Sequence, residues 1–363
     1  MAITYRVSQA AAALGISVDS VRRNATEAGM DIAFKRSGAV ASRVIYPSDL
    51  FEIASFRRKK LGPKVAKKSV ISVWNPKGGI GKTTISANLA VCFALQGLRV
   101  LVVDLDFQAS LSLSMGYDSD LTAEEAIEYG VSDEKVVRYT IANLLPKAQD
   151  PQPLDKVLKK PWGEFGPHLI PADLALDYMD YLLVAHTLSG AQSDLIVSQW
   201  IANGRTGKTP NCDLSEYDII LFDCPPSKHR LTRAALLSSN HVISPVRFDF
   251  FSTKALSYMA QVIDDMEQNY GVRPDISIIG NEYDHGRVRS SVHVATLNRI
   301  YGDALLGNTI RRSEEFPRTL DEDERAPVAL SKPMAPVAED LRIVSRLMLE
   351  RMGTFTTREI KHA

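Results

Sequence analysis

The chain has few cysteines and no long apolar segment among its 363 residues. Its three cysteines, Cys92, Cys212 and Cys224, show neither even pairing nor the spacing of metal ligands. This argues against a disulfide-stapled fold and a zinc module, and it fits a reducing cytosol. Because no run of about 18 apolar residues occurs, we predict neither a membrane-spanning helix nor a signal peptide.

The chain also lacks internal repeats, low-complexity tracts and any net charge. Its length predicts about two domains. The charge balance hides an asymmetry, because residues 1–68 contain 13 Lys and Arg against 5 Asp and Glu, and the remainder carries the opposite net charge. A basic head on an acidic body suggests a nucleic-acid-binding module joined to a larger domain; a solvated charge bias is the alternative.

A glycine-rich segment, Lys77–Thr84, reads K-G-G-I-G-K-T-T between an apolar strand pattern at 69–74 and a helical pattern at 83–96. Such a loop cradles phosphates on backbone N–H groups at the positive end of a helix. We expect Lys82 to reach the β- and γ-phosphates and Thr83 to ligate Mg²⁺. A structural turn is the alternative. The candidate nucleotide-binding residues are Gly78, Gly79, Gly81, Lys82, Thr83 and Thr84.

An ordinary phosphate-binding loop (P-loop) needs only Lys82, so Lys77 is an additional lysine. With it, the segment resembles the ParA/MinD family of deviant Walker-type ATPases. The resemblance implies that Lys77 crosses a dimer interface to the partner subunit's nucleotide and takes part in catalysis. A solvated surface lysine is the alternative.

Two apolar strand patterns end in carboxylates, at Asp104 with Asp106 and at Asp223. Parallel strands place such residues at their carboxyl edge, where doubly wound sheets bind ligands. We expect Asp223 to hold Mg²⁺ through water. The family resemblance implies that Asp106 orients the attacking water and that Asp104 supports the metal region. The family continues Pro-Gln-Gly-Asn, where this chain has Phe107–Ser110.

Strands and helices alternate from residue 69 onward, which predicts an α/β fold: a doubly wound, mostly parallel sheet. Asn281 follows the last strand and is a candidate adenine contact, with capping of a loop as the alternative. The predicted strands are Ser69–Trp74, Val100–Asp104, His168–Ile170, Ile219–Asp223, His241–Val246 and Ile276–Gly280.

Residues 1–62 predict a small winged helix-turn-helix domain, followed by a basic linker at 63–68 and the ATPase domain at 69–363. A helix near 7–14, a glycine-bearing turn and a second helix capped by Ser17 or Asp19 precede a candidate β-wing. The order resembles MerR-type winged domains; a protein-docking head is the alternative. The candidate DNA-binding residues are Arg22, Arg23, Asn24, Lys35 and Arg36.

Together these features resemble partition ATPases of plasmids that carry such a head. The resemblance implies a Mg²⁺-dependent ATPase that uses ATP/ADP and forms an ATP-sandwich homodimer on non-specific nucleoid DNA. It also implies a ParB-type partner that stimulates hydrolysis, operator binding by the head, and a cytoplasmic, nucleoid-associated location. Scattered arginines at 287, 289, 299, 311, 312 and 318 are candidates for the non-specific DNA surface. A cargo-positioning ATPase and a nucleotide-gated transcription regulator are the alternatives.

Overall fold

The computed structural model describes residues 3–30, 32, 34–37, 40–146, 148–188, 193–227, 229–247, 250–283, 297–321 and 325–355. Its centre is a six-stranded, wholly parallel sheet in the order β5-β4-β6-β3-β7-β8. The strands are β3 (Ser69–Val73), β4 (Val100–Asp104), β5 (His168–Ile170), β6 (Ile219–Asp223), β7 (His241–Val246) and β8 (Asp275–Gly280).

The six predicted strands are confirmed, with their ends shifted by one residue at most. Five of them, β3 to β7, are buried along their whole length, which is why their sequences read as mainly apolar runs rather than as alternation. Burial on both faces requires helices above and below the sheet, and the two hydrophobic clusters lie on these opposite faces.

The helices that cover the sheet begin with α4 (Lys82–Ala94), directly after the P-loop. Alternate residues of β3 face different clusters, since Ile71 and Val73 join one while Val70 and Trp74 join the other. The further helices are α5 (Ser110–Ser114), α6 (Ala123–Glu128), α7 (Leu154–Val157), α8 (Ala175–Leu188), α9 (Ile196–Arg205), α10 (Arg230–Ser238), α11 (Phe250–Tyr270), α12 (Glu315–Asp321), α13 (Val328–Ser331) and α14 (Pro336–Arg351).

The N-terminal segment contains α1 (Val7–Leu14), α2 (Val18–Glu27), the antiparallel hairpin β1 (Phe34–Ser37) with β2 (Val40–Arg43), and α3 (Pro47–Leu61). The turn between α1 and α2 uses Gly15 in the left-handed region, at φ 63°. The Ser17 hydroxyl then accepts a hydrogen bond from the Ser20 N–H at 3.2 Å, so of the two predicted caps Ser17 is the one used.

The N-terminal head, residues 3–62, packs directly against the rest of the chain. Its apolar residues belong to the same hydrophobic cluster as α4 and α14. The Phe51 ring lies 6.2 Å from the Trp162 ring, and the Tyr5 hydroxyl donates to the Leu330 carbonyl at 2.8 Å. A side chain on Gly97 would meet the Ala54 carbonyl of α3 at 2.6 Å, so the backbones approach closely here. Residues 63–68 therefore connect two parts that already share a core.

Asn24 is a correction to the sequence interpretation. It is only 1% exposed, because with Val21 and Ala25 it forms the face of α2 that turns into the head. The structure therefore argues against the DNA contact predicted for Asn24. Arg22 and Arg23 lie on the exposed side of the same helix.

Candidate functional site

The P-loop joins β3 to α4 at the carboxyl edge of the sheet, as the sequence predicted. Asn75 fixes its first turn, since its side chain accepts from the Lys77 N–H at 2.9 Å and donates to the Ser244 hydroxyl at 2.9 Å. Sequence reasoning missed Asn75. The polar residue directly before the loop's proline was the available signal.

The loop has the shape of a phosphate cradle. Gly79 and Gly81 have φ of 67° and 86°, in the left-handed region that glycine tolerates best. Gly78 and Gly79 are exposed, and an added Cβ on either would meet nothing within 4 Å. Thr83 and Thr84 are half-buried in the first turn of α4, whose free N–H groups favour an anion. The residues thus fit a nucleotide phosphate.

Asn281 braces this loop from β8. Its amide nitrogen donates to the Ile80 carbonyl at 2.8 Å, and a Cβ on Gly81 would meet that nitrogen at 2.4 Å. Asn281 is 3% exposed. This contact corresponds to the loop-capping alternative, and the adenine contact remains a prediction.

A hydrogen bond joins the two lysines of the loop: Lys82 Nζ donates to the backbone carbonyl oxygen of Lys77 at 3.1 Å. Burial lowers the pKa of Lys82, while Asp223 and Asp106 act in the opposite direction. A buried ammonium whose closest hydrogen-bond acceptor is a neutral carbonyl is suited to binding an anion.

Asp104 and Asp223 end neighbouring strands and are directly paired in the register of β4 with β6. Asp223 accepts from the Ser86 hydroxyl at 2.6 Å and from the Thr83 side chain. Thr83 and Asp223, the predicted metal pair, are therefore in contact. Sequence reasoning missed Ser86, although it lies one turn after Thr83 on the same helix.

Burial raises the pKa of both Asp104 and Asp223. A neighbouring carboxylate raises each pKa further, Asp223 for Asp104 and Asp106 for Asp223. The pKa of Asp104 rises to about 8, with the Asp223 charge as the second cause. The pKa of Asp223 rises to about 6, since the Ser86 and Thr83 hydrogen bonds and Lys82 partly offset the burial. Two buried carboxylates this close favour a cation between the strand ends or a retained proton.

Asp104 is fixed by Ser112 of α5, whose N–H and hydroxyl donate to Asp104 Oδ2 at 2.9 and 2.8 Å. The same hydroxyl accepts from the Ala172 N–H at 3.0 Å. Ser112 thus links Asp104 to the backbone that follows β5, and the accessory role of Asp104 remains a prediction. Nothing in the sequence singled out Ser112.

Asp106 lies in the loop that follows, half-buried, with its Oδ1 accepting from the Gln108 N–H at 3.1 Å. The backbone at Ala109 has φ 51° and ψ 28°, a left-handed conformation. The resembled family has glycine at this position, and glycine adopts the left-handed conformation without strain. In this chain the turn has the same kind of conformation, and the Cβ of Ala109 makes it strained.

The remaining predicted residues are dispersed. Arg22 and Arg23 are exposed on α2; the side chains of Lys35 and Arg36, and all of Arg287 and Arg289, lie outside the described residues. Arg311 binds Asp340 through Nε and Nη2 at 2.6 and 2.8 Å, which argues against it as a DNA contact. Arg299, Arg312 and Arg318 are exposed.

Two general properties of the described residues bear on the site. They contain no group of three or more His, Cys, Asp and Glu placed to hold a metal, so a cation at Thr83 and Asp223 would draw its other ligands from phosphate and water. No helix among them is both long and apolar enough to cross a bilayer.

A protein-family model described as an AAA domain matches residues 68–278, more than half of the chain. The chain belongs to this family.

Three relatives of known name indicate the type of protein within this family. The cell division protein PomZ of Myxococcus xanthus is 26% identical over 282 residues, 77% of each chain. The sporulation initiation inhibitor protein Soj of Bacillus subtilis is 29% identical over 196 residues, 53% of this chain and 64% of Soj. The chromosome partitioning protein ParA of Myxococcus xanthus is 28% identical over 211 residues, 58% of this chain and 62% of that protein. Family and relatives together identify a P-loop ATPase of the ParA type.

Solved structures confirm the α/β P-loop fold. A partition protein superposes with a TM-score of 0.62 at 19% identity, covering 97% of this chain and 92% of that one. Cobyrinic acid a,c-diamide synthase of Mycobacterium smegmatis, solved with an ATP analogue and magnesium, gives a TM-score of 0.60 at 21% identity over 79% of this chain and 96% of that chain. The ligands of that structure, an ATP analogue and magnesium, belong to the classes of ligand that the P-loop predicts for this chain.

Proposed function

We propose that this chain is an ATP-driven DNA partition ATPase of a plasmid or similar replicon. The observation that carries the proposal is the meeting of three motifs at one edge of the sheet. There, the double-lysine P-loop lies beside Asp223, and Asp223 is paired in register with Asp104, two residues before Asp106. The similarity to the chromosome partitioning protein ParA of Myxococcus xanthus supports this choice.

Lys82 and the N–H groups of the P-loop would hold the β- and γ-phosphates of ATP. Thr83 and Asp223 would hold Mg²⁺, which supplies positive charge to phosphate oxygens when bound. Asp106 orients the attacking water. An ionised carboxylate is a weak base towards water, so positioning is its larger contribution.

Lys77 would serve the dimer rather than the first binding event. Two triphosphates facing each other repel strongly in a dry interface, and an ammonium from each subunit offsets that repulsion. The ATP-bound dimer would then bind non-specific nucleoid DNA electrostatically, in a cytoplasmic, nucleoid-associated state. A ParB-type protein would stimulate hydrolysis and release the dimer.

The head would be a winged helix-turn-helix that represses the chain's own operon. Arg22 and Arg23 project from the second helix of a helix–turn–helix, and a hairpin follows in the wing position. The Arg22–Asp19 ion pair, at 3.3 Å on the surface, contributes little, so phosphate can replace Asp19 as partner. The solved partition protein covers 97% of this chain, and this coverage supports the proposal for the head.

Hydrolysis and DNA binding are tested together with Asp106→Ala. This variant should bind ATP as the wild type does and lose turnover by about 100-fold, because only water orientation is removed. It should also accumulate on non-specific DNA in ATP, measured by co-sedimentation. Wild-type turnover would show that another residue positions the water.

The head is tested with Arg22→Ala and Arg23→Ala combined. Footprints on the upstream operator should disappear, while ATP-dependent, non-specific binding should retain a steep salt dependence. Lys208→Ala, which removes an exposed positive charge outside the head and outside the candidate DNA surface, is the control. An unchanged footprint would favour a protein-docking head.

A specific observation keeps the cargo-positioning alternative open, namely the likeness to the cell division protein PomZ over 77% of both chains. A plasmid-loss assay on a deletion of the gene separates the two functions. Normal plasmid inheritance with a misplaced protein assembly would favour cargo positioning. Loss of operon repression alone, with normal plasmid inheritance and normally placed assemblies, would favour a nucleotide-gated transcription regulator.

A further inference from the structure

Beside the nucleotide edge, a cavity of about 510 Å³ lies between α10 and α11 and uses no residue assigned to ATP. Trp74, the residue directly after β3, forms part of its wall. The other lining residues are Arg230, Thr232, Arg233 and Leu236 of α10, and Tyr258, Gln261, Val262, Asp265 and Met266 of α11.

Two lining residues carry buried polar atoms without a hydrogen bond in the part of the chain that the structure describes. They are the indole Nε1 of Trp74 and the hydroxyl of Thr232. Trp74 and Thr232 are each 1% exposed. A buried donor left without an acceptor is costly, so two of them at one cavity call for a ligand with acceptor oxygens.

The charge of the wall favours an anion. Arg230 donates to Asp194 at 3.1 Å, and Arg233 Nε lies 3.5 Å from the same carboxylate, which also accepts from the Tyr270 hydroxyl. Two guanidinium groups thus share one carboxylate behind the lining. Asp265, the carboxylate among the lining residues, is exposed on α11. Two partly exposed guanidinium groups against the one carboxylate of Asp194 give this part of the wall a net positive charge.

The rest of the wall is apolar or aromatic. Leu236 and Met266 are buried, Val262 is half-buried, and the rings of Trp74 and Tyr258 lie 6.5 Å apart. A fully hydrated inorganic anion would leave these surfaces uncovered. They match an organic body attached to the acceptor oxygens.

We propose that this cavity is a binding site for a small organic acid, with its carboxylate on Trp74 Nε1, Thr232 and Arg233 and its apolar body between α10 and the Tyr258 ring. Along the chain, the cavity is close to the nucleotide motifs. Trp74 lies three residues before the P-loop segment, and α10 begins seven residues after Asp223. The proposal does not depend on the proposed function, because binding is measured without ATP.

The test uses the full chain and the indole N–H signals of its three tryptophans in ¹H–¹⁵N NMR spectra. Trp74→Phe assigns the Trp74 signal, and Trp162 and Trp200 serve as internal references. Phenylacetate is the probe. Phenylacetamide, of the same shape without the charge, and acetate, without the apolar body, are the matched controls.

Phenylacetate should shift the Trp74 signal saturably and leave the other two in place. Its affinity should exceed that of either control by about tenfold, and Thr232→Val should reduce it by about tenfold, as the loss of one charge-assisted hydrogen bond implies. N-acetylglutamate amide represents a carboxylate on a protein partner and should bind more weakly than phenylacetate.

Three outcomes would overturn the proposal. An unshifted Trp74 signal at saturating phenylacetate would mean that water fills the cavity. Equal binding of phenylacetamide would mean an apolar cavity without carboxylate recognition. Tighter binding of N-acetylglutamate amide would assign the donors to a partner's side chain.

Discussion

The nucleotide edge of the sheet and the junction between head and body are stabilised by different kinds of interaction. At the edge, buried polar groups such as Lys82, Asp104 and Asp223 are held by hydrogen bonds to side chains and backbone. At the junction, aromatic and aliphatic side chains pack into one cluster, with the Tyr5–Leu330 hydrogen bond inside it. Hydrogen bonds can be exchanged for bonds to a ligand, whereas packed apolar surface separates only by exposure to water.

This difference indicates where the molecule can change with nucleotide. The edge can rearrange at modest cost because each lost contact has a replacement on ATP or Mg²⁺. The junction has no such replacement, so we expect the head to move with the body as one unit. A rigid junction would let a change at the edge alter the orientation of both heads in a dimer.

The largest effect is expected at the junction. Phe51→Ala removes a fully buried ring that packs on Trp162, and should lower the free energy of unfolding by about 3–5 kcal/mol. Because the core is shared, unfolding should remain a single transition by calorimetry. Tyr129→Ala, at an exposed aromatic, should change stability by less than about 0.5 kcal/mol. Two transitions, with only the first shifted, would mean a separable head.

At the nucleotide edge, Lys82→Ala should weaken ATP binding by about 100-fold or more, because the phosphates lose a fixed charge in a partly dry site. Calorimetric titration measures it, with the exposed Lys208→Ala as the control. The fold should be unaffected, since the Lys82 side-chain hydrogen bond here is to the Lys77 carbonyl. Equal affinities for ATP in the two variants would show that Lys82 does not bind the phosphates.

The Asp106 loop holds strain that a substitution can relieve. Ala109→Gly should raise the free energy of unfolding by about 0.5–1 kcal/mol, because glycine adopts the left-handed conformation without its Cβ clash. Ala185→Gly, on the exposed face of α8, should instead destabilise by about 1 kcal/mol. Thermal denaturation of both variants decides it. Destabilisation by Ala109→Gly would mean that the alanine is not strained.

A further effect concerns pH. A carboxyl whose pKa is raised by folding keeps its proton in the native chain at a pH where the unfolded chain has lost it. With the pKa of Asp104 at about 8 and that of Asp223 at about 6, against 3.8 as the ordinary value, stability should fall as pH rises from about 4 to 8. In EDTA, Asp104→Ala should flatten this fall in melting temperature. An unchanged slope would show that the pair does not titrate in this window.

The sheet and the P-loop could be predicted because their signals are local. A strand buried on both faces is a continuous apolar run, and the order strand, glycine loop, lysine and helix lies within adjacent residues. The same holds for the Ser17 cap, which lies three residues from the N–H that it binds.

What could not be predicted depends on distant residues. The burial of Asn24 follows from packing inside the head, and the Tyr5–Leu330 bond joins residues 325 positions apart. Ser112 was missed because its partner, Asp104, is reached only after the chain turns through Ala109. The cavity at Trp74 requires α10 and α11 to be placed side by side, which no periodicity indicates.

The central claim is that Lys77 couples the bound nucleotide to dimer formation. Sedimentation velocity of wild type and Lys77→Ala with ATP and Mg²⁺ tests it most directly, with hydrolysis measured on the same samples. Wild type should sediment as a dimer in ATP and as a monomer in ADP. Lys77→Ala should bind ADP normally, yet stay monomeric and inactive in ATP. A Lys77→Ala protein that forms the ATP dimer and hydrolyses at the wild-type rate would contradict the account.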